Sequence, residues 1–164
     1  MAGASHLARG ALLGLVGGLV AAGAMSLAHQ LANQIAPKAE TPPTREKDST
    51  VQVASVVTRQ VGYELPKHQE SRAGSIVHFA FGGLVGALYG AVAEAVPKVT
   101  ALVGLPFGVA LWLGAHVMAV PALGLAEPPN RKPAREETME FGLHAVYGMT
   151  TELVRRLLLL VRPI

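Results

Sequence analysis

AGSIVHFAFGGLVGALYGAVAEAVP, residues 73 to 97, carries a single formal charge, Glu94. About 20 apolar residues at a rise of roughly 1.5 Å each cross a hydrocarbon core of about 30 Å, so the stretch is long enough to span a membrane. Within it Gly82, Gly86 and Gly90 recur every fourth residue. In lipid no hydrophobic drive brings helices together, and small residues at this interval let two backbones pack closely. The stretch therefore predicts a membrane helix with one face built for another helix.

The rest of the chain follows the same pattern. Of 164 residues, 51% are hydrophobic and only 15% charged, with a mean hydropathy of +0.38. Ordinary soluble domains carry roughly a quarter charged residues. From Leu7 to Ala36 the one formal charge is Arg9, and from Val99 to Ala126 there is none. Gly14 and Gly18, and Gly104 and Gly108, repeat the four-residue glycine spacing in these two runs. A fourth apolar run, about 138 to 161, is interrupted by Glu140, His144, Gly148 and Glu152, which form one stripe on a helix. It can span only if that stripe faces protein. The expectation is an all-α integral membrane bundle of four transmembrane helices, about 7–36, 73–97, 99–124 and 138–161, forming a single domain over residues 1–164.

The first run has a rival reading as a signal peptide, with Arg9 before an apolar core and small residues after it. The apolar run continues to Ile35 with no polar start behind the small residues, so a retained helix is expected. Between the first two spans, 37–72 opens with PKAETPPTREKDST, a charged, proline-rich linker. STVQVASVVTRQVGYELP then places Val53, Val57 and Val61 at helical spacing, with Ser49 as N-cap and Pro66 as stop. That is an amphipathic surface helix in the first loop.

The chain has no cysteine, which removes disulfides, thiolate metal sites and thiol nucleophiles. Its net charge of +3 comes from basic residues scattered near span ends, where lipid headgroups account for them. Nucleic acid is not an expected partner. No nucleophile elbow, Walker loop, HExxH or GxGxxG occurs, so no enzyme activity is expected.

Ionisable residues inside spans default to functional candidates. Threading the four spans puts Glu94 and Glu152 toward the end that holds both termini, near Lys98, Arg155 and Arg156. Ion pairing or snorkelling would lower their cost there, and a proton path is the functional reading of Glu94, Glu152, Arg155 and Arg156. His29, His78, His116, Glu140 and His144 fall toward the opposite, loop end. His78, His116, His144 and Glu140 offer nitrogen and oxygen ligands suited to a divalent transition metal. The same imidazoles could instead sense protons, since imidazole titrates near pH 6.5 when unperturbed, or each could make one interhelical hydrogen bond. No bound cofactor is predicted, and a divalent transition metal is the alternative.

The set His78 with Glu94 sixteen residues on, AEAVPK, HVMAVPALGL with Pro121 five after His116, and EFGLHAVYGMTTELVRR resembles the YagU-like inner-membrane proteins. The likeness runs from about Ala73 to the C-terminus and is weaker in the first span; 37–72 departs from it. It implies a small polytopic protein of the bacterial inner membrane, with no established reaction or ligand.

Counting Lys and Arg literally would place the loops in the cytoplasm. The loop charges are diluted over longer segments, and the resembled proteins keep the arginine-rich C-terminus inside, so cytoplasmic termini are expected. The functional expectation is a non-enzymatic structural or partner subunit that responds to protons. Its partners would be the bilayer and either a second copy or another membrane protein. The competing class is a metal-binding or ion-translocating protein using the His/Glu group.

Overall fold

A computed structural model describes residues 3–35 and 48–161, and among these every regular element is helical. The proline-rich start of the first loop and the two chain ends lie outside the described residues. Three long helices, α1 (Ala4–Ile35), α3 (Lys67–Ala95) and α6 (Ala134–Val161), pack side by side. A short helix α2 (Ser49–Gln60) lies against α3. Between α3 and α6 the chain runs through tight turns over Pro97–Gly104, then α4 (Leu105–Leu111), a π-helical stretch Trp112–Ala119 and α5 (Val120–Ala122).

The glycine spacing positions the centre of the bundle. A Cβ at Gly10, Gly14, Gly86 or Gly90 would lie closer than 3.0 Å to backbone atoms across the α1–α3 contact. The antiparallel register sets Gly10 against Gly90, Gly14 against Gly86 and Gly90, and Gly18 against Gly82 and Gly86. Gly82 has slightly more room, and its carbonyl accepts a hydrogen bond from the Tyr147 hydroxyl at 2.6 Å. The third run uses its glycines in the same way: Gly104 and Gly108 press on the α6 backbone at Gly148 and His144. On the other side of α1, Gly17 meets Thr151 of α6. The close packing is thus between helices of one chain.

Burial is inverted relative to a soluble protein. The largest fully buried side chains are Glu152 and Thr151, while Leu12, Leu84, Leu88, Leu153, Leu157 and Leu160 are all more than half exposed. In water this would be an unfavourable surface; in hydrocarbon it is the favourable one. Three segments, Ala4–Ile35, Lys67–Ala95 and Pro97–Ala122, are long and apolar enough to cross a membrane.

Several expected boundaries shift. α1 runs 4–35 rather than 7–36, α3 runs 67–95 rather than 73–97, and α6 begins at Ala134 rather than near 138. The larger correction concerns 99–124, which is not one regular helix. Ala101 is extended, Leu102 and Val103 are left-handed (φ 49° and 54°), and Gly104 follows at φ 78°. Pro106 sits in the first turn of α4, where its missing N–H costs nothing. Before it, Gly104 completes the turn at a positive φ that costs a glycine little. Further on, Pro121 cannot donate to the carbonyl one turn back, consistent with the widened π turns just ahead of it.

The first-loop helix is also re-capped. Asp48, not Ser49, is the N-cap, its carboxylate accepting from the Thr50 N–H at 2.9 Å. The helix stops at Gln60, where Gly62 turns the chain at φ 77°, and Pro66 instead precedes α3. α2 buries Ala54 and lays Thr50 and Val51 on Gly74, leaving Val56, Val57 and Val61 exposed.

Candidate functional site

At the terminal end, α3 and α6 bring together the four charges Glu94, Glu152, Arg155 and Arg156. Glu152 is fully buried, and its carboxylate accepts hydrogen bonds on both oxygens. Oε2 receives the Tyr89 hydroxyl at 2.9 Å and Arg155 Nε at 2.8 Å; Oε1 receives Arg155 Nη2 at 3.1 Å and Arg156 Nε at 2.6 Å. That fills the acceptor capacity of a carboxylate. The third nitrogen of Arg155 reaches Glu94 Oε1 at 3.4 Å. Arg156 Nη2 donates to the Thr100 carbonyl at 2.7 Å, giving a donor to backbone that the turns of Pro97–Gly104 leave outside a regular helix. Phe107 stacks on Tyr89 with centroids 4.2 Å apart, and Gly104 makes room beside Glu152. Two acids and two arginines sum to zero charge, and every strong group has a partner. This end can hold helices together at low cost in hydrocarbon.

The fork of Arg155 does what an ammonium cannot, since its planar donors serve two carboxylates at once. Arg155→Lys is therefore expected to lower the melting temperature of the detergent-solubilised protein clearly more than Glu94→Gln, which removes only the longer, partly exposed contact. Equal effects would argue against the bidentate pair as the main fastening.

The loop end is built differently. His116 stands on the π-helical stretch and faces α6, with Nε2 3.3 Å from Glu137 Oε1 and Nδ1 3.9 Å from Glu140 Oε2. Its ring centroid lies 5.7 Å from that of His144. π turns are rare and concentrate at functional sites; this one turns an imidazole toward two carboxylates. His144 donates or accepts locally, its Nδ1 lying 2.8 Å from the Glu140 carbonyl. His78 points Nε2 to the Ala22 carbonyl of α1 at 3.2 Å. Beside this group Trp112 meets Phe141 edge to face at 5.2 Å.

Of the four candidate ligands, the fold brings His116, Glu140 and His144 together. His78 is near enough to act on His144 electrostatically, but its ring engages α1. Among the described residues, no group of three or more His, Asp or Glu side chains is arranged to hold a metal ion. Glu94, Glu152, Arg155 and Arg156 do converge. Composition missed Glu137, although it stands three residues before Glu140 on the same helix face, a spacing that could have found it. Tyr89 and the Thr100 carbonyl carried no sequence signal.

A bundle with apolar outer faces, charged residues buried in pairs and three helices able to cross a bilayer defines a helical membrane protein. The chain belongs to the family described as "Protein of unknown function (DUF1440)", whose model matches residues 15–153. The matched region includes His78, Glu94, His116, Glu137, Glu140, His144 and Glu152; Arg155 and Arg156 lie just beyond it. No curated protein and no solved structure matches the chain.

Proposed function

We propose that this chain is a four-span, non-enzymatic protein of the bacterial inner membrane, YagU-like and with cytoplasmic termini. In this reading it acts as a structural or partner subunit whose loop-end packing responds to protons. α6 serves as the fourth span. It has 28 residues, about 42 Å at 1.5 Å each. It turns Thr151, Glu152 and Arg155 inward and Met149, Leu153, Leu157 and Leu160 outward. The exposed valines of α2 suit a helix lying at the lipid surface.

The observation that carries the proton response is the placement of His116 between two carboxylates. An imidazolium donates from both nitrogens, whereas a neutral ring has one donor and one lone pair. With Glu137 facing Nε2 and Glu140 facing Nδ1, the site is complementary to the protonated ring. Protonation would draw the π-helical stretch onto α6, and the pairing would be lost as pH rises. The other charged or titratable neighbours are His144 on α6 and, acting on Glu140, His29, Lys132 and Asp48.

Trp112, the single tryptophan, sits beside this group and can report it. In lipid nanodiscs its emission is expected to change on acidification. His116→Gln should abolish that change, while His78→Gln should leave it in place. An unaltered titration in His116→Gln would remove the proposal. The competing metal or ion-translocating reading uses His116, Glu140 and His144 with His78. It would take over if purified protein held one metal per chain that the triple variant His78→Ala, His116→Ala, His144→Ala lost.

A further inference from the structure

At the terminal end one guanidinium is held without being enclosed. Arg156 gives Nε to the buried Glu152 carboxylate at 2.6 Å and Nη2 to the Thr100 carbonyl at 2.7 Å, yet its side chain is 46% exposed. A guanidinium carries its N–H donors in a fixed planar fork. Its remaining nitrogen, Nη1, has no partner among the described residues. Two anchors on the other nitrogens stop the side chain from swinging, so the free donors are presented in one direction. Such preorganisation lowers the entropy that a ligand must overcome.

A second cation lies within reach of the same place. Lys98 stands two residues before Thr100 in a tight turn, where the Val99 N–H donates to the Val96 carbonyl at 3.1 Å and the Thr100 hydroxyl to the Pro97 carbonyl at 2.8 Å. It is exposed and, among the described residues, makes no ion pair or hydrogen bond. Its flexible four-carbon stem can carry the ammonium toward the carbonyl that Arg156 holds. Glu94 and Glu152 are balanced by Arg155 and Arg156, so Lys98 makes the group net positive. The surroundings are apolar. Val96 and Leu102 lie on either side of Lys98 in the chain, Leu153 and Leu160 on either side of Arg156 along α6, and all four are exposed. The turn follows directly on the end of the α3 span, the level where hydrocarbon gives way to headgroups.

We infer that Arg156 and Lys98 hold the phosphate of an anionic phospholipid at the terminal end of the bundle, its acyl chains lying along Leu102 and Leu153. This rests on the reading of the chain as a membrane protein. The phosphate oxygens accept from Arg156 Nη1 and from the Lys98 ammonium, and both bonds are charge-assisted. Choline and ethanolamine headgroups cancel their own phosphate charge and bring another cation beside Lys98, so phosphatidylglycerol is preferred to either. Inorganic phosphate offers the same oxygens without the acyl contacts and should bind far more weakly.

The test is native mass spectrometry of the full chain in uncharged detergent micelles, titrated separately with phosphatidylglycerol, phosphatidylcholine and inorganic phosphate. One phosphatidylglycerol per chain should be retained, with a preference of about tenfold over phosphatidylcholine. Lys98→Gln should lower phosphatidylglycerol retention about fivefold, the worth of one cation near the membrane surface, and Lys98→Arg should restore it. Lys98 is exposed and unpaired, so both variants should melt with the wild type. Arg131→Gln removes the same charge at the loop end and should leave retention unchanged. Equal retention of the two lipids, an undiminished preference in Lys98→Gln, or the same loss in Arg131→Gln overturns the site. Inorganic phosphate retained as firmly as phosphatidylglycerol would make it a site for a soluble anion and overturn the lipid assignment. Recovery of the protein in the soluble fraction without detergent would instead overturn the membrane reading beneath it.

Discussion

Gly86→Leu is expected to take the bundle apart. The α1–α3 contact has no room for a Cβ at this position, because the atoms it would meet are backbone atoms of Gly14 and Gly18 and cannot rotate away. Relief must come from separating the two helices, which also strips the Tyr147 hydroxyl from the Gly82 carbonyl. Overpacking of a tight contact costs typically 1–3 kcal/mol, and a helix pair forced apart along its length belongs at or above about 3 kcal/mol. Gly86→Ala should share the sign with a smaller size. Gly114 and Gly142 supply the control, since a Cβ at either meets nothing within 4 Å. Gly114→Ala and Gly142→Ala should melt with the wild type or slightly above it, by up to about 1 kcal/mol from helix propensity. Thermal unfolding in one detergent compares all four. A Gly86→Leu protein that melts with the wild type would mean the helices do not approach as described.

Glu152→Ala should be nearly as damaging, for an electrostatic reason. It leaves Arg155, only 7% exposed, with two of its nitrogens facing an empty space. Removing one partner of a buried pair costs about 3–5 kcal/mol because the other charge stays behind. Glu152→Gln keeps one acceptor and should fall between. The double variant Glu152→Met, Arg155→Met removes one charge of each sign and leaves Glu94 with Arg156, again neutral. It should melt above Glu152→Ala despite carrying two changes. If the double variant were the less stable of the two, uncompensated charge would not be the cause.

These two fastenings and the loop-end group divide the molecule by chemistry. The terminal end is held by arginines, which stay protonated at any physiological pH. At the loop end the group facing the carboxylates is an imidazole, carried on π turns that also meet α6 through the Trp112–Phe141 pair. In the proposed reading the first end stays locked and the second responds to protons.

What the chain alone revealed follows from properties that do not depend on partners. Long uncharged runs cannot stay in water whatever they pack against, so the membrane helices were legible in 73–97 and in the runs flanking it. A glycine every fourth residue marks a helix face in any context, so Gly82, Gly86 and Gly90 were legible as a packing face, as was the tendency of Glu152 and the arginines behind it to pair. Which helix met that face was not legible; Gly10, Gly14 and Gly18 share their spacing with several other glycines, and only the antiparallel register selected them. The break over Pro97–Gly104 was hidden because hydropathy is blind to backbone dihedral angles, and Leu102 and Val103 give no hint that they adopt positive φ. Tyr89 and Glu152 are 63 residues apart, and no local pattern connects them. The histidines were visible as a group at one end, yet their roles were decided by rotations of a few side chains. His78 turned to a carbonyl of α1, His144 to its own helix, and only His116, carried on the π turns, came to stand between two carboxylates.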